Sequence, residues 1–212
     1  MKFPHLLMTV MIFLASGFLP VPEGIAQERV FFEDRFDGEL KPGWRWLRGN
    51  PECRRFVDDS LEIVAEPFAG NEAKNVLIRP VDFCGKGTFI VETQMTFFDK
   101  PTNQFQQGGI YWMRNGRVVF KLVHECVDGK LYIYPGKIPV DSPSVNLRLI
   151  SNGDDIFAEY RDSGESSYRR IYEGKLDKGG NDEIALQCWN GPRDDDSGRT
   201  RFHLFRILQV ED

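Results

Sequence analysis

Histidine and cysteine are scarce here, three and four in 212 residues. The few that occur do not fall into a chemical motif. There is no Cys-x-x-Cys pair, no His-Glu-x-x-His, no Gly-x-Ser-x-Gly elbow and no phosphate-cradling glycine loop. Zinc-protease, α/β-hydrolase and nucleotide chemistries therefore lack the side chains they need. Helical periodicity is missing as well, since no window of eleven residues repeats its apolar positions at helical spacing and no capping box precedes an apolar run. There is no basic stripe, and the net charge is −5, which argues against a nucleic-acid partner.

Long apolar runs are limited to one. Lys2 precedes an apolar stretch from Leu6 to Leu19, and Gly24-Ile25-Ala26 follows before the chain turns polar. That is the pattern of a signal peptide cut after Ala26. The run is too short to cross about 30 Å of hydrocarbon. No cysteine follows it, so a lipid anchor is not expected. Residues 1–26 are thus expected to be a signal peptide and 27–212 a single secreted or periplasmic domain, with no membrane insertion after cleavage. In an oxidising compartment the four cysteines suggest two disulfides, with three pairings open. Alternation puts Cys126 on the face of Leu122, and Cys188 on that of Ile184 and Leu186, whereas Cys53 and Cys84 flank loops. The pairing this favours is Cys53–Cys84 with Cys126–Cys188.

Short strands dominate what is present. Between Gln107 and Tyr134, Asn115-Gly116 and Asp128-Gly129 are the dipeptides that most readily form tight hairpin turns, so this stretch predicts a three-strand meander. In its middle strand Phe120, Leu122, His124 and Cys126 point one way, and Val119, Lys121, Val123 and Glu125 the other. The longest alternating stretch runs from Gly87 to Asp99, with Phe89, Val91, Thr93, Met95 and Phe97 on one face. Another hairpin is expected around Asn152-Gly153. About a dozen such strands, with turns every 8–12 residues, predict an all-β, two-sheet antiparallel sandwich.

Phe32-x-Asp34-x-Phe36-Asp37-Gly38 followed by Gly43-Trp44-x-Trp46 resembles the opening of concanavalin A-like jelly-roll domains. Gln107-Gly108-Gly109-Ile110, Val119-Phe120-Lys121-Leu122, Leu147-Arg148-Leu149 and the closing Phe202-x-x-Phe205-Arg206-Ile207 continue the resemblance over nearly the whole of residues 27–212. The nearest kind is the domain appended to family 43 β-xylosidases, with its stand-alone secreted relatives of uncharacterised function. The resemblance implies a jelly-roll sandwich and, in many such domains, a structural calcium held by acidic residues near the first and last strands. Asp34 and Asp37 match the first-strand part. His203 stands where an aspartate is common, and is a poor ligand for a hard cation. No other cofactor is implied.

The candidate site is the polar face of the central strands. It comprises Glu92 and Gln94 from the long strand, Tyr111, Lys121 and Glu125 from the meander, Arg148 from its neighbour, and Gln187 and Trp189 from a late strand. Flat rings cover the C–H face of a sugar while amide, carboxylate and guanidinium groups meet its hydroxyls. The expected partner is therefore an oligosaccharide or polysaccharide, bound without catalysis. Two other classes stay open. A glycoside-cleaving hydrolase, including the keto-sugar hydrolase type, needs two carboxylates about 5–9 Å apart, for which Glu92 and Glu125 are the candidates. A structural or interaction module of the cell envelope needs neither. His124 is expected to be a buried, hydrogen-bonded core residue, Trp44 and Trp46 to be packing residues, and Asp194-Asp195-Asp196 a solvated loop.

Overall fold

A computed structural model describes residues 27–67, 73–83, 87–176, 181–192 and 198–211. The expected signal peptide, Cys84 and the acidic run 194–196 lie outside the described residues. The chain forms β1 (Gln27–Asp34), β2 (Arg45–Leu47), β3 (Arg54–Phe56), β4 (Leu61–Val64), β5 (Val76–Pro80), β6 (Thr88–Phe97), β7 (Gln107–Arg114) and β8 (Arg117–Val127). It continues through β9 (Lys130–Tyr134), β10 (Ile138–Pro139), β11 (Ser144–Asn152), β12 (Asp155–Asp162), β13 (Arg169–Lys175), β14 (Asp182–Trp189) and β15 (Arg199–Glu211). Among the described residues one 3-10 turn, Pro51–Cys53, accompanies the strands.

All strand pairs are antiparallel, and they make two sheets. One has the order β13-β12-β11-β6-β15-β4-β3, with β1 also paired to β15; the other has the order β10-β9-β8-β7-β14-β5-β2. The meander is β7-β8-β9, and both of its turns have positive φ at both central residues, Asn115 and Gly116, and Asp128 and Gly129. That conformation twists in the same sense as the flanking strands, which is why these dipeptides close two-residue hairpins.

The core fills the space between the sheets. Phe89, Val91, Met95 and Phe97 of β6 and Leu147 and Leu149 of β11 face Ile110 and Trp112 of β7, Leu122 of β8, and Ile184 and Leu186 of β14. The period-2 alternation seen in the sequence thus marks the inward face of each strand. A smaller apolar cluster of Val76, Ile78, Tyr111, Met113, Val123 and Ala185 lies on the outer face of the seven-stranded sheet. Trp44 donates its indole N–H to Asp34 (2.9 Å) and stacks edge-on to Phe205 at 4.8 Å. Trp46 lies under the Arg54 guanidinium at 4.0 Å. Both are packing residues.

The expected disulfides are not formed. Cys53, Cys126 and Cys188 are free thiols, and Cys84, the expected partner of Cys53, lies outside the described residues. Shared parity was right for Cys126 and Cys188, since both are buried, but they sit on β8 and β14 with β7 between them. Two interstrand steps separate them by roughly 10 Å, beyond the ~7 Å between Cα atoms that a disulfide spans. His124 is fully buried and 4.8 Å from the Phe97 ring, yet neither ring nitrogen has a hydrogen-bond partner among the described residues. The burial expected of His124 is found, and the expected hydrogen bond is not.

Candidate functional site

The eight site residues expected from the sequence divide between the two outer faces of the sandwich. Glu92 and Gln94 on β6 and Arg148 on β11 belong to the eight-stranded sheet. Tyr111, Lys121, Glu125, Gln187 and Trp189 belong to the seven-stranded sheet. Alternation reports inside or outside; it does not report which sheet a strand joins.

The Glu92 face is a lattice of ion pairs. Cross-strand partners run Arg170, Glu159, Arg148, Glu92, Arg206, Glu33 in one row across β13, β12, β11, β6, β15 and β1. Signs alternate at every step. Glu92 is buried; it accepts from Arg148 at 2.5 Å and also from Arg206. Arg170 reaches Glu159 at 3.1 Å, and Arg148 stacks on the Tyr168 ring at 3.9 Å. A second, shorter row joins Arg55 and Arg201 to the buried Glu62. A carboxylate clamped between two guanidiniums is a structural ion pair and not an acid–base catalyst. Glu92 and Glu125 also project from opposite faces of two sheets that pack about 10 Å apart, so they cannot flank one glycosidic bond. The expected catalytic pair is excluded. Gln94, half-buried beside Asn146, likewise faces away from the groove described next.

The opposite face carries a groove in two joined lobes. One, of about 540 Å³, is lined by residues that include Arg48, Tyr111, Arg117 and Gln187. The other, of about 660 Å³, is lined by residues that include Phe105, Glu125, Tyr132, Tyr134 and Lys137. Gln107, Lys121 and Trp189 line both.

Gln107 is the hub of the groove. Its amide oxygen accepts from Tyr111 Oη (3.0 Å) and Lys121 Nζ (2.9 Å), and its amide nitrogen donates to Glu125 Oε1 (2.9 Å) and the Phe105 carbonyl (3.0 Å). Lys121 also approaches Glu125 at 3.5 Å and lies 4.6 Å from the centre of the Tyr134 ring. Register explains the cluster, because Trp189, Gln107, Glu125 and Tyr132 stand in one row across β14, β7, β8 and β9. Burial holds the Tyr111 phenol well above its usual range, so it remains a donor. In the next row Gln187, Gly109 and Val123 are opposite one another. Gln187 is buried and lines the first lobe.

Sequence reasoning placed Tyr111, Lys121, Glu125, Gln187 and Trp189 together and missed Gln107, Phe105, Arg48, Arg117 and Lys137. Gln107 was within reach, because it shares the parity of Tyr111 on the same strand. Phe105 and Lys137 lie outside strands, where no periodicity points. Asp34 and Asp37 do not fit the implied calcium site. Asp34 is fully buried and accepts N–H donors on both carboxylate oxygens, from Phe36 and from Lys41 and Trp44, whereas Asp37 is exposed. Among the described residues no three acidic, histidine or cysteine side chains gather as a metal site. His203 is engaged with Thr96 at 3.0 Å.

The fold is a concanavalin A-like jelly-roll sandwich. Solved structures with this fold include the GH43 protein BlXynB from Bacillus licheniformis, with a TM-score of 0.68 at 14% identity over 84% of this chain and 39% of that one. The Bacteroides ovatus xyloglucan PUL protein GH43B gives a TM-score of 0.60 at 14% identity, over 89% of this chain and 41% of that one. The CBM2 module of the evolved Dit of Lactobacillus casei BL23 phage J-1 gives 0.51 at 7% identity over 88% of this chain and 98% of that one. This chain therefore spans well under half the length of the two GH43 proteins. No family profile and no curated protein matches the sequence. Among the described residues no helix is long and apolar enough to cross a membrane.

Proposed function

We propose that the protein is an exported, non-catalytic glycan-binding domain that takes an oligosaccharide or polysaccharide in the groove of the seven-stranded sheet. In this reading residues 1–26 direct export and 27–212 are the binding domain. The observation that carries it is the Gln107 hub beside an exposed aromatic wall. Phe105 and Tyr134 are 47% and 37% exposed, and Trp189 joins them in the lining, so rings are available to a sugar's C–H face. The Glu125–Lys121 pair, held in place by Gln107 before any ligand arrives, supplies a donor and an acceptor for hydroxyls, and the Gln187 amide adds to the polar lining. Glycoside hydrolases and a CBM2 module built on the same fold add support for a carbohydrate partner.

A binding role fits better than hydrolysis because Glu125 is the one carboxylate among the described lining residues, and it is committed to Gln107 and Lys121. Affinity electrophoresis against a panel of plant, algal and bacterial polysaccharides tests the proposal. At least one should retard the protein, and Trp189→Ala or Gln107→Ala should weaken that retardation by about tenfold, as expected for losing a stacked ring or a preorganised polar hub. Retardation by no polysaccharide, or undiminished retardation in both variants, would overturn it.

A further inference from the structure

The groove has the opposite charge to the molecule. The chain carries a net −5, yet the described lining residues include Arg48, Arg117, Lys121 and Lys137 against the single carboxylate Glu125. Glu125 is itself already matched by Lys121. Arg117 and Lys137 are exposed and make no ion pair among the described residues.

The cations are also spread out. Arg117 and Lys121 are four residues apart on β8, roughly 13 Å along the strand, while Lys137 lines the second lobe from the turn between β9 and β10, to the side of Lys121. Lys121 sits where the two lobes meet. A single anionic end group would need one cluster of cations. Cations distributed along a groove match a polymer with charge on repeated units, and they concentrate such a ligand against an otherwise repelling protein.

We infer that the groove takes a polyanionic glycan, one bearing carboxylate or sulfate groups along its length. The inference rests on the glycan-binding reading and deepens it, since the aromatic wall serves any sugar but the spaced cations serve an acidic one.

The test uses residues 27–212 with four polymers. They are polygalacturonate, the same polymer with its carboxyls reduced to alcohols, heparin, and a single-stranded oligonucleotide. Polygalacturonate or heparin should bind; since both carry carboxylates, binding of heparin without polygalacturonate identifies sulfate as the charged group, and binding of polygalacturonate identifies carboxylate. Binding should weaken as salt rises, and it should fall about tenfold in the Arg117→Gln/Lys137→Gln double variant. The reduced polymer should bind at least about tenfold more weakly than its parent if polygalacturonate is the ligand. Equal binding of a neutral polysaccharide, insensitive to salt and to the double variant, overturns the charge inference and leaves the glycan reading standing. Equal binding of the oligonucleotide overturns it as well, showing attraction of any polyanion. Failure of both acidic polymers overturns it, and failure of neutral polysaccharides too removes the glycan reading with it.

Discussion

Gln107 and Glu92 are both buried polar side chains on outward-facing strand positions, yet their surroundings give them different work. Gln107 spends its amide orienting Tyr111, Lys121 and Glu125 around a space open to ligand. Glu92 has its carboxylate closed off by Arg148 and Arg206. Glu92→Gln removes the charge and leaves two guanidiniums facing each other, so it should destabilise the fold by about 3 kcal/mol. Glycan binding should be unchanged once the variant is folded. Urea unfolding alongside affinity electrophoresis checks both, and lost binding in the folded variant would place Glu92 in the site after all. His124 makes a different prediction. Burial pushes its pKa down to about 3, against about 6.5 in the unfolded chain. Between those values the unfolded state binds the extra proton, so stability should fall as pH drops below about 6.5, by about 1.4 kcal/mol per unit from this group. His124→Leu removes that component, and its stability relative to the parent should rise steadily on acidification from pH 7 to 4. A constant difference across that range would show that the ring is not held neutral.

Among the elements, β7 shows how strongly a neighbouring strand constrains a residue. Gly109 has φ near +155°, and a Cβ built there would stand 2.4 Å from the Leu122 carbonyl oxygen and 2.8 Å from Val123 Cα. Those are backbone atoms of β8, so no rotamer change relieves the clash. Gly109→Ala is expected to destabilise the domain by at least about 2 kcal/mol, read as a lower urea midpoint. A midpoint within error of the parent would mean that β7 and β8 can separate without penalty. On the other sheet, the alternating row from Arg170 to Glu33 does for the outer face what apolar packing does for the inner one. Each charge is flanked across the ladder by its opposite, so the sheet tolerates a buried carboxylate at Glu92 without exposing an apolar face.

At the scale of the whole molecule, the core between the sheets holds the described residues together with no disulfide among them. Cys188 is buried, and burial pushes its thiol up to about 12; Cys126 is raised by the same cause. Both should resist oxidation and alkylation in the native state. Adding reductant should therefore leave the urea midpoint unchanged, whereas a drop equivalent to about 2 kcal/mol or more would reveal a disulfide that holds the fold. The molecule also separates its two outer faces by role, one sealed by ion pairs and the other opened into a groove.

Alternation by itself determined that Phe89, Val91, Leu122 and Ile184 point inward, that Lys121, Glu125, Gln187 and Trp189 point outward, and that Asn115-Gly116 and Asp128-Gly129 close hairpins. Those features depend on the local pleat and on local φ preferences, which a strand carries in its own residues. Sheet membership was decided only in three dimensions. Glu92 and Glu125 share an outward parity yet face opposite ways, and Cys126 and Cys188 share an inward parity yet stand a strand apart, because a period of two says nothing about which strands lie side by side. The groove came from the same source, since the row of Trp189, Gln107, Glu125 and Tyr132 and the space beside it exist only where β14, β7, β8 and β9 are brought into register.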